Sequence, residues 1–426
     1  MGQRFSKPLI NINGNLNETS FDEAFSFMHE NLKDCKVNET LVMCSGNYSN
    51  EVLYMLQKLS RTALNTNALS AFDYYRRGTV FFADKNDIVP FAEFYQADQF
   101  FCIFDRDSSE GTLQDVKNVL SHCELVPKYW FNDGNNLKIS DYFAFFRALN
   151  LYIIQNNLQK GIYVEGLGKN YEQYKSGILK EDLQNLLDKN NLQESDIQEF
   201  TKLLMSKSHP VFIIWERLLT AEAYQEVENL CMLTEIQSKP SAGFITIKGE
   251  VNSQGLFDMG CFSHVAPGGE SVNGMTSRKM EEIYGTAVCA EPVDVAAGLQ
   301  ECRFKNVLLW NADGSELDNE ILNQVKKSEF CVLHTAYLPE NATDYSMILP
   351  ANLPDELSGT YTDTSKVPHD FEAQNTNKLE YNNLEQISIL AKTFNLDFSS
   401  DKTDIFLEYI TFMTAGCNSE RRHFFR

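Results

Sequence analysis

The feature that most constrains this chain is a repeated grammar: a short, continuously apolar run, a polar turn, then a helix with one apolar face. TLVMCSG (40–46) precedes EVLYMLQKLSRTAL (51–64), where Val52, Leu53, Leu56, Leu59 and Ala63 share a helical face. QFFCIFD (99–105) precedes GTLQDVKNVLSHC (111–123), and KNVLLWNADG (305–314) precedes ELDNEILNQVKK (316–327). Apolar runs of this length, bounded by turn residues and not alternating, fit strands buried on both faces. Strands that alternate with helices build parallel sheets. The fold class expected is α/β.

FCVLHTAY and YSMILP add apolar strands, the latter closed by Pro350, and HPVFIIW adds another at 209–215. Ser20 is placed to cap a helix whose first turn carries Asp22 and Glu23. Residues 140–206 read as mostly helical, with SDYFAFFRALNLYIIQNNL and ESDIQEFTKLLMS as amphipathic stretches. No repeat of the 20–50 residue kind is present.

At 426 residues the chain exceeds one ordinary domain. A formal net charge of −22 excludes a broad electrostatic footprint for nucleic acid or an anionic membrane. No apolar run approaches the ~20 residues that span a bilayer, so direct membrane insertion is not expected. The start MGQRFSKPLI lacks the pattern of a secretory signal. Ten cysteines include no Cys-x-x-Cys pair, which reads as reduced thiols of a cytoplasmic protein without an iron–sulfur or zinc site. No nucleophile arrangement or Gly-x-x-x-x-Gly-Lys-Ser/Thr phosphate loop appears. A lone His264 in a glycine-rich turn reads as structural.

Four stretches, spread over nearly the whole chain, occur in a recognisable order. They are QRFSKPLININGNLNETSFDEAF (3–25), NEVLYMLQKLSRTALNTNAL (50–69), VNSQGLFDMGCFSHVAPGG (251–269) and ENATDYSMILPANLPDELSGTYTD (340–363). Together they resemble the molybdopterin oxidoreductase superfamily, especially formate dehydrogenase alpha subunits and the large G subunit of respiratory complex I (NADH dehydrogenase). The resemblance implies two three-layer, Rossmann-like α/β lobes. One is discontinuous, made of 1–75 plus 265–400; the other is an insertion of 76–264, and 401–426 forms a helical tail.

The departures from the family decide the functional expectation. Aligned on NTN and TV, the family's cysteine or selenocysteine metal ligand falls on Tyr75, and the histidine that often follows it on Arg76. Where small residues approach the cofactor's pyrophosphate, this chain has Asp105, Arg106 and Asp107, and in the second such loop Asn311 and Asp313. Carboxylates there repel phosphate oxygens. Asn252, Asp258, Gly260, Gly359 and Thr360 match the remaining cleft positions. Pro368 breaks the pattern after GTYTD, and neither the cysteine-rich iron–sulfur subdomain nor the carboxy-terminal barrel is recognisable.

The resemblance with these departures implies a degenerate, cofactor-free subunit with no catalytic or metal-binding residue of its own. Its expected role is structural, in a multi-subunit electron-transfer complex whose iron–sulfur and other subunits are its partners. It would be cytoplasmic and peripheral to the inner membrane through that complex. The alternative is a formate dehydrogenase-like enzyme that carries molybdopterin guanine dinucleotide with molybdenum or tungsten and is completed by partner subunits.

Overall fold

The structure, a computed structural model, describes residues 3–77, 88–108, 111–160, 169–236, 239–376 and 379–414. Its strands in chain order are β1 (Leu9–Ile12), β2 (Asn15–Glu18), β3 (Thr40–Cys44) and β4 (Leu69–Ala71), then β5 (Gln99–Ile103), β6 (Lys128–Trp130), β7 (Pro210–Trp215) and β8 (Gly243–Ile247). The chain closes with β9 (Asn306–Trp310), β10 (Phe330–Thr335), β11 (Met347–Pro350), β12 (Gly359–Thr362) and β13 (Pro368–Phe371). The α/β class is as expected from the sequence. The described residues divide into two units: one from 3–76, 250–363 and 367–414, the other from 77–249 and 364–366. Residues 250–264, assigned to the insertion in the sequence reading, therefore lie in the first unit, because the amide of Asn252 bonds to the carbonyl of Gly46 at 2.8 Å. The helix Lys402–Thr414 also belongs to the first unit.

In the first unit a seven-stranded sheet runs in the order β2-β1-β11-β10-β9-β3-β4. The five strands from β11 to β4 are parallel, and the β1–β2 hairpin adds antiparallel to β11. Register is set through Val42↔Leu69, Leu41↔Val307 and Leu309↔Leu333. On one face, Leu41, Met43, Val307, Leu309 and Leu333 join Ile321 and Val325 in a single core. The helix Asn383–Thr393 packs on both Phe21–Leu32 and Asn50–Thr62, and each of the three is opened by a side-chain cap, at Asn382, Ser20 and Ser49 in turn.

The second unit holds a four-stranded, all-parallel sheet, β6-β5-β7-β8. Alternate residues part to its two faces, as a pleated strand requires. Phe101, Ile103, Phe212 and Ile214 enter a core with the helices Tyr142–Gln155 and Ala221–Leu233, while Phe100, Cys102, Val211 and Ile213 meet Val116 and Leu120 of the helix Gly111–His122. Both faces are covered, which is why these strands read as unbroken apolar runs.

Each sheet has one switch point. In the first unit the chain leaves β3 toward β4 on one side and returns at β9 on the other. In open α/β sheets a crevice forms beyond the carboxyl ends of the two strands at such a point, and ligands bind there. The second unit has its switch between β5 and β7.

Candidate functional site

At the switch point of the first unit, β3 runs into Ser45, Gly46, Asn47, Tyr48 and the cap Ser49 of the helix Asn50–Thr62. A strand–turn–helix of this kind presents backbone amides to a pyrophosphate when its groups are unengaged. Here the amide of Gly46 donates to the carboxylate of Glu250. The Asn47 side-chain amide donates to Glu250 Oε1 at 3.3 Å and to Asp313 Oδ2 at 2.8 Å. Asp313 is further held by Ser315, whose hydroxyl donates at 2.7 Å. The crevice is closed by two carboxylates.

Its apolar wall is closed as well. Tyr48 is buried and turned inward, its hydroxyl 2.8 Å from His334 Nδ1, with Trp310 at 6.0 Å between ring centroids. Burial pushes the Tyr48 phenol well up and pushes His334 down to about 3. The phenol is therefore the donor and the imidazole is neutral. Asn311, in the turn after β9, is buried; its amide donates to the His334 carbonyl at 2.9 Å and its side chain to the Ser315 carbonyl at 2.7 Å.

Asn252 ties this turn to β12. Its side-chain amide donates to the Tyr48 carbonyl at 2.8 Å, and its Oδ1 accepts from the Thr362 amide at 2.8 Å. Glu51, in the first helical turn, accepts from the Thr360 amide at 3.1 Å and hydroxyl at 2.8 Å. Gly359 is required by space: a Cβ there would lie 2.8 Å from the Cβ of Ser49. The structure thus brings Asn252, Asn311, Asp313, Gly359 and Thr360 around one turn. Asn252, Asp313 and Thr360 bond to Tyr48, Asn47 and Glu51 of that turn and its helix.

Asp258 and Gly260 serve the adjoining loop. The Asp258 carboxylate accepts from Gln254 at 3.2 Å, and its carbonyl accepts from the Gly268 amide at 2.8 Å. Gly260 has φ +82° and no room for a Cβ, which would lie 2.6 Å from the Pro267 nitrogen. The loop is pinned by Arg61, which is fully buried. Its guanidinium donates to the carbonyls of Gly260 (2.9 Å), Phe262 (2.8 Å) and Val265 (2.9 Å), to Asn67 Oδ1 (3.0 Å) and to Gln57 Oε1 (2.5 Å). All five donors of the guanidinium are used, and none meets a carboxylate. His264 beside it is pushed down, by burial first and then by the Arg61 charge.

Tyr75 and Arg76 lie elsewhere in the same unit. Tyr75 packs in the core with Leu41, Met43 and Leu309, and its phenol donates to Asp318 and, at 3.2 Å, to Glu320. Burial and the Asp318 carboxylate hold the phenol far above its ordinary value, so the ligating phenolate is disfavoured. Arg76 pairs with Glu320 at 2.9 Å and is half exposed. In the second unit Asp105, Arg106 and Asp107 are exposed. Asp105 accepts from the amide of Asp107 at 2.9 Å and Arg106 pairs at 3.4 Å with Asp133 in the loop after β6.

No protein-family model matches the chain. A Staphylococcus aureus protein provisionally named a formate dehydrogenase is 23% identical over 419 residues, covering 85% of this chain and 40% of that one. Formate dehydrogenase 2 subunit alpha of Methanococcus maripaludis is 23% identical over 411 residues, covering 85% and 58%. Acetylene hydratase from Pelobacter acetylenicus superposes with a TM-score of 0.62 at 14% identity, over 92% of this chain and 62% of that one.

The chain is similar in sequence to formate dehydrogenases and shares a fold with acetylene hydratase.

A second solved structure, of a formyltransferase/hydrolase complex from Methylorubrum extorquens, has a TM-score of 0.52 at 10% identity, covering 91% of this chain and 98% of that one. The chain thus spans 40% and 58% of the two curated relatives.

Tested against the cofactor that such a fold implies, the switch point of the first unit does not fit. The Gly46 amide is already taken, two carboxylates face where phosphate oxygens would approach, and Tyr48 fills the wall. Among the described residues no group of three His, Cys, Asp or Glu is placed to hold a metal ion. Sequence reasoning missed Tyr48, Glu250 and Arg61. Tyr48 and Glu250 carry no local signal. Arg61 falls opposite the helical face shared by Leu59 and Ala63, so its position in the pattern reads as that of a solvated cation.

Proposed function

We propose that this chain is a degenerate, cofactor-free subunit that serves a structural role in a multi-subunit oxidoreductase complex. One observation carries the reading: the carboxylate of Glu250 occupies the Gly46 amide that a pyrophosphate would need, with Asp313 beside it. The position of Tyr75 supports it, since a phenol donating to Asp318 and Glu320 is not poised to ligate metal. The G subunit of complex I is the setting that the sequence resemblance suggests. A one-carbon transfer assembly is a second setting, favoured by a solved chain of nearly the same extent that belongs to a formyltransferase/hydrolase complex.

The deciding experiment is purification from the native host with molybdenum, tungsten and iron measured by elemental mass spectrometry and oxidised pterin by fluorescence. Absence of metal and pterin, with redox subunits co-purifying stoichiometrically, is the expected result. Near-stoichiometric molybdenum or tungsten with pterin overturns the reading and restores the alternative of an active formate dehydrogenase-like enzyme.

A further inference from the structure

The helix Lys402–Thr414 is fixed to the first unit along one face. Glu408 accepts from Lys58 at 2.7 and 2.8 Å and from the Tyr54 hydroxyl at 2.9 Å. The Phe412 ring lies 5.8 Å from Tyr284, and its carbonyl accepts from Lys279 at 2.7 Å. At the other end Lys402 donates to Ser358 at 2.5 Å. These anchors set the rotation of the helix. Rolling it would strip Lys58, which is nearly buried, of its carboxylate.

Held in that rotation, the helix turns large apolar side chains to solvent: Phe406 is 55% exposed, Leu407 56%, Ile410 36% and Met413 47%. The positions i, i+1, i+4 and i+7 form one stripe two turns long. Contiguous apolar surface of this kind marks an interaction site. The choice of occupant follows from charge. A membrane-lying helix carries Lys and Arg on its polar face, whereas this one has Lys402, already engaged, with Asp404 and Glu408. A second copy would bring another net −22 against the first. Asp401 and Asp404 are exposed at the amino-terminal end of the stripe.

We infer that the outward face of the helix Lys402–Thr414 is the docking surface for a different subunit. That subunit presents an amphipathic helix with an apolar stripe flanked by Lys or Arg. The inference names the contact by which the chain is held and so rests on the structural-subunit reading. Apolar packing supplies the affinity, and the acidic end selects a basic partner.

The test uses the full chain, tagged and purified from its native host, beside a Phe406→Asp/Leu407→Asp variant. A carbodiimide that couples carboxylates to lysines is applied to the wild-type complex. The expected result is a stoichiometric second polypeptide, coupled from Asp401 or Asp404 to lysines bordering an apolar helix. Deuterium uptake over 403–413 falls when the partner is bound, and the variant loses the partner by at least about 100-fold in affinity. The free variant should melt within a few degrees of wild type, since neither side chain is buried.

If the variant keeps its partner, the docking surface is wrong while the subunit reading stands. A wild-type chain that is always monomeric and alone sinks the subunit reading itself. A homodimer disrupted by the variant overturns the inference by making the occupant a second copy. Protection over 403–413 in the free monomer overturns it by making the occupant the chain's own residues.

Discussion

The phenol of Tyr75 donates its hydrogen bond to the carboxylate of Asp318, the same carboxylate that caps the helix Asn319–Lys327 by accepting from the amides of Glu320 and Ile321 at 3.0 Å. The side chain that stands at the family's metal-ligand position is thus committed to starting a helix.

Replacing Tyr75 by Cys should give no formate oxidation, because the switch-point crevice remains closed. Replacing it by Phe should cost about 1.5–3 kcal/mol, the worth of a hydrogen bond to a charged acceptor. Urea unfolding measures the second, and formate-dependent dye reduction the first. Dye reduction by the Cys variant would mean that the crevice still admits a cofactor.

Arg61→Met should be among the most damaging single changes in the first unit. It removes five hydrogen bonds and takes the guanidinium donor from the carbonyls of Gly260 and Val265, while that of Phe262 keeps the Val265 amide at 3.1 Å. The expected loss is about 3 kcal/mol or more. Arg61→Lys should recover only part, since an ammonium has three donors and lacks the planar fork. Urea midpoints of the three proteins give the ranking; equal midpoints for Met and wild type would show that the guanidinium contributes nothing.

A Cβ on Gly46 would stand 2.8 Å from Glu250 Oε2 and 2.9 Å from the amide of Ser253. Gly46→Ala should therefore destabilise by about 1–3 kcal/mol, as overpacking does. If instead thermal melting were unchanged, the carboxylate would not be seated on this turn.

His334 supplies a pH dependence with a definite sign. Burial lowers its folded value to about 3 against an ordinary 6.5, so the unfolded chain binds the proton more readily. Its contribution is complete above pH 6.5 and is lost as pH falls from there toward 3, at about 1.4 kcal/mol per unit. Urea unfolding between pH 7 and pH 4.5 should show His334→Gln with a shallower decline than wild type. Parallel declines would place the imidazole in contact with water.

The sheets were legible because their strands are buried on both faces and therefore lack alternation; β3, β5, β7, β9 and β10 all fall within runs recognised from sequence. The short edge strands were not legible. β2 (NLNE) has one apolar residue, and β4 (LSA) carries only its two-residue frame; both take their pairing from a neighbour rather than from their own pattern. At the site, motif order located the turn neighbours Asn252, Asn311, Asp313, Gly359 and Thr360. It could not reveal that Glu250, some 200 positions from Gly46, supplies the carboxylate, because nothing local distinguishes that glutamate from a solvated one. The assignment of residues 250–264 to the inserted lobe failed for the same reason: Asn252 answers to Gly46, far away in sequence.

In the first unit strand β3 pairs with β9, Thr40 against Asn306. During synthesis the ribosome delivers all of 77–249 between those two partners. The inserted unit has every strand of its sheet before β9 exists, while the first 76 residues wait with an apolar strand uncovered. Nascent chains of this protein should need a holding chaperone for the amino-terminal segment, and fragments ending before β9 should be cleared rather than accumulate.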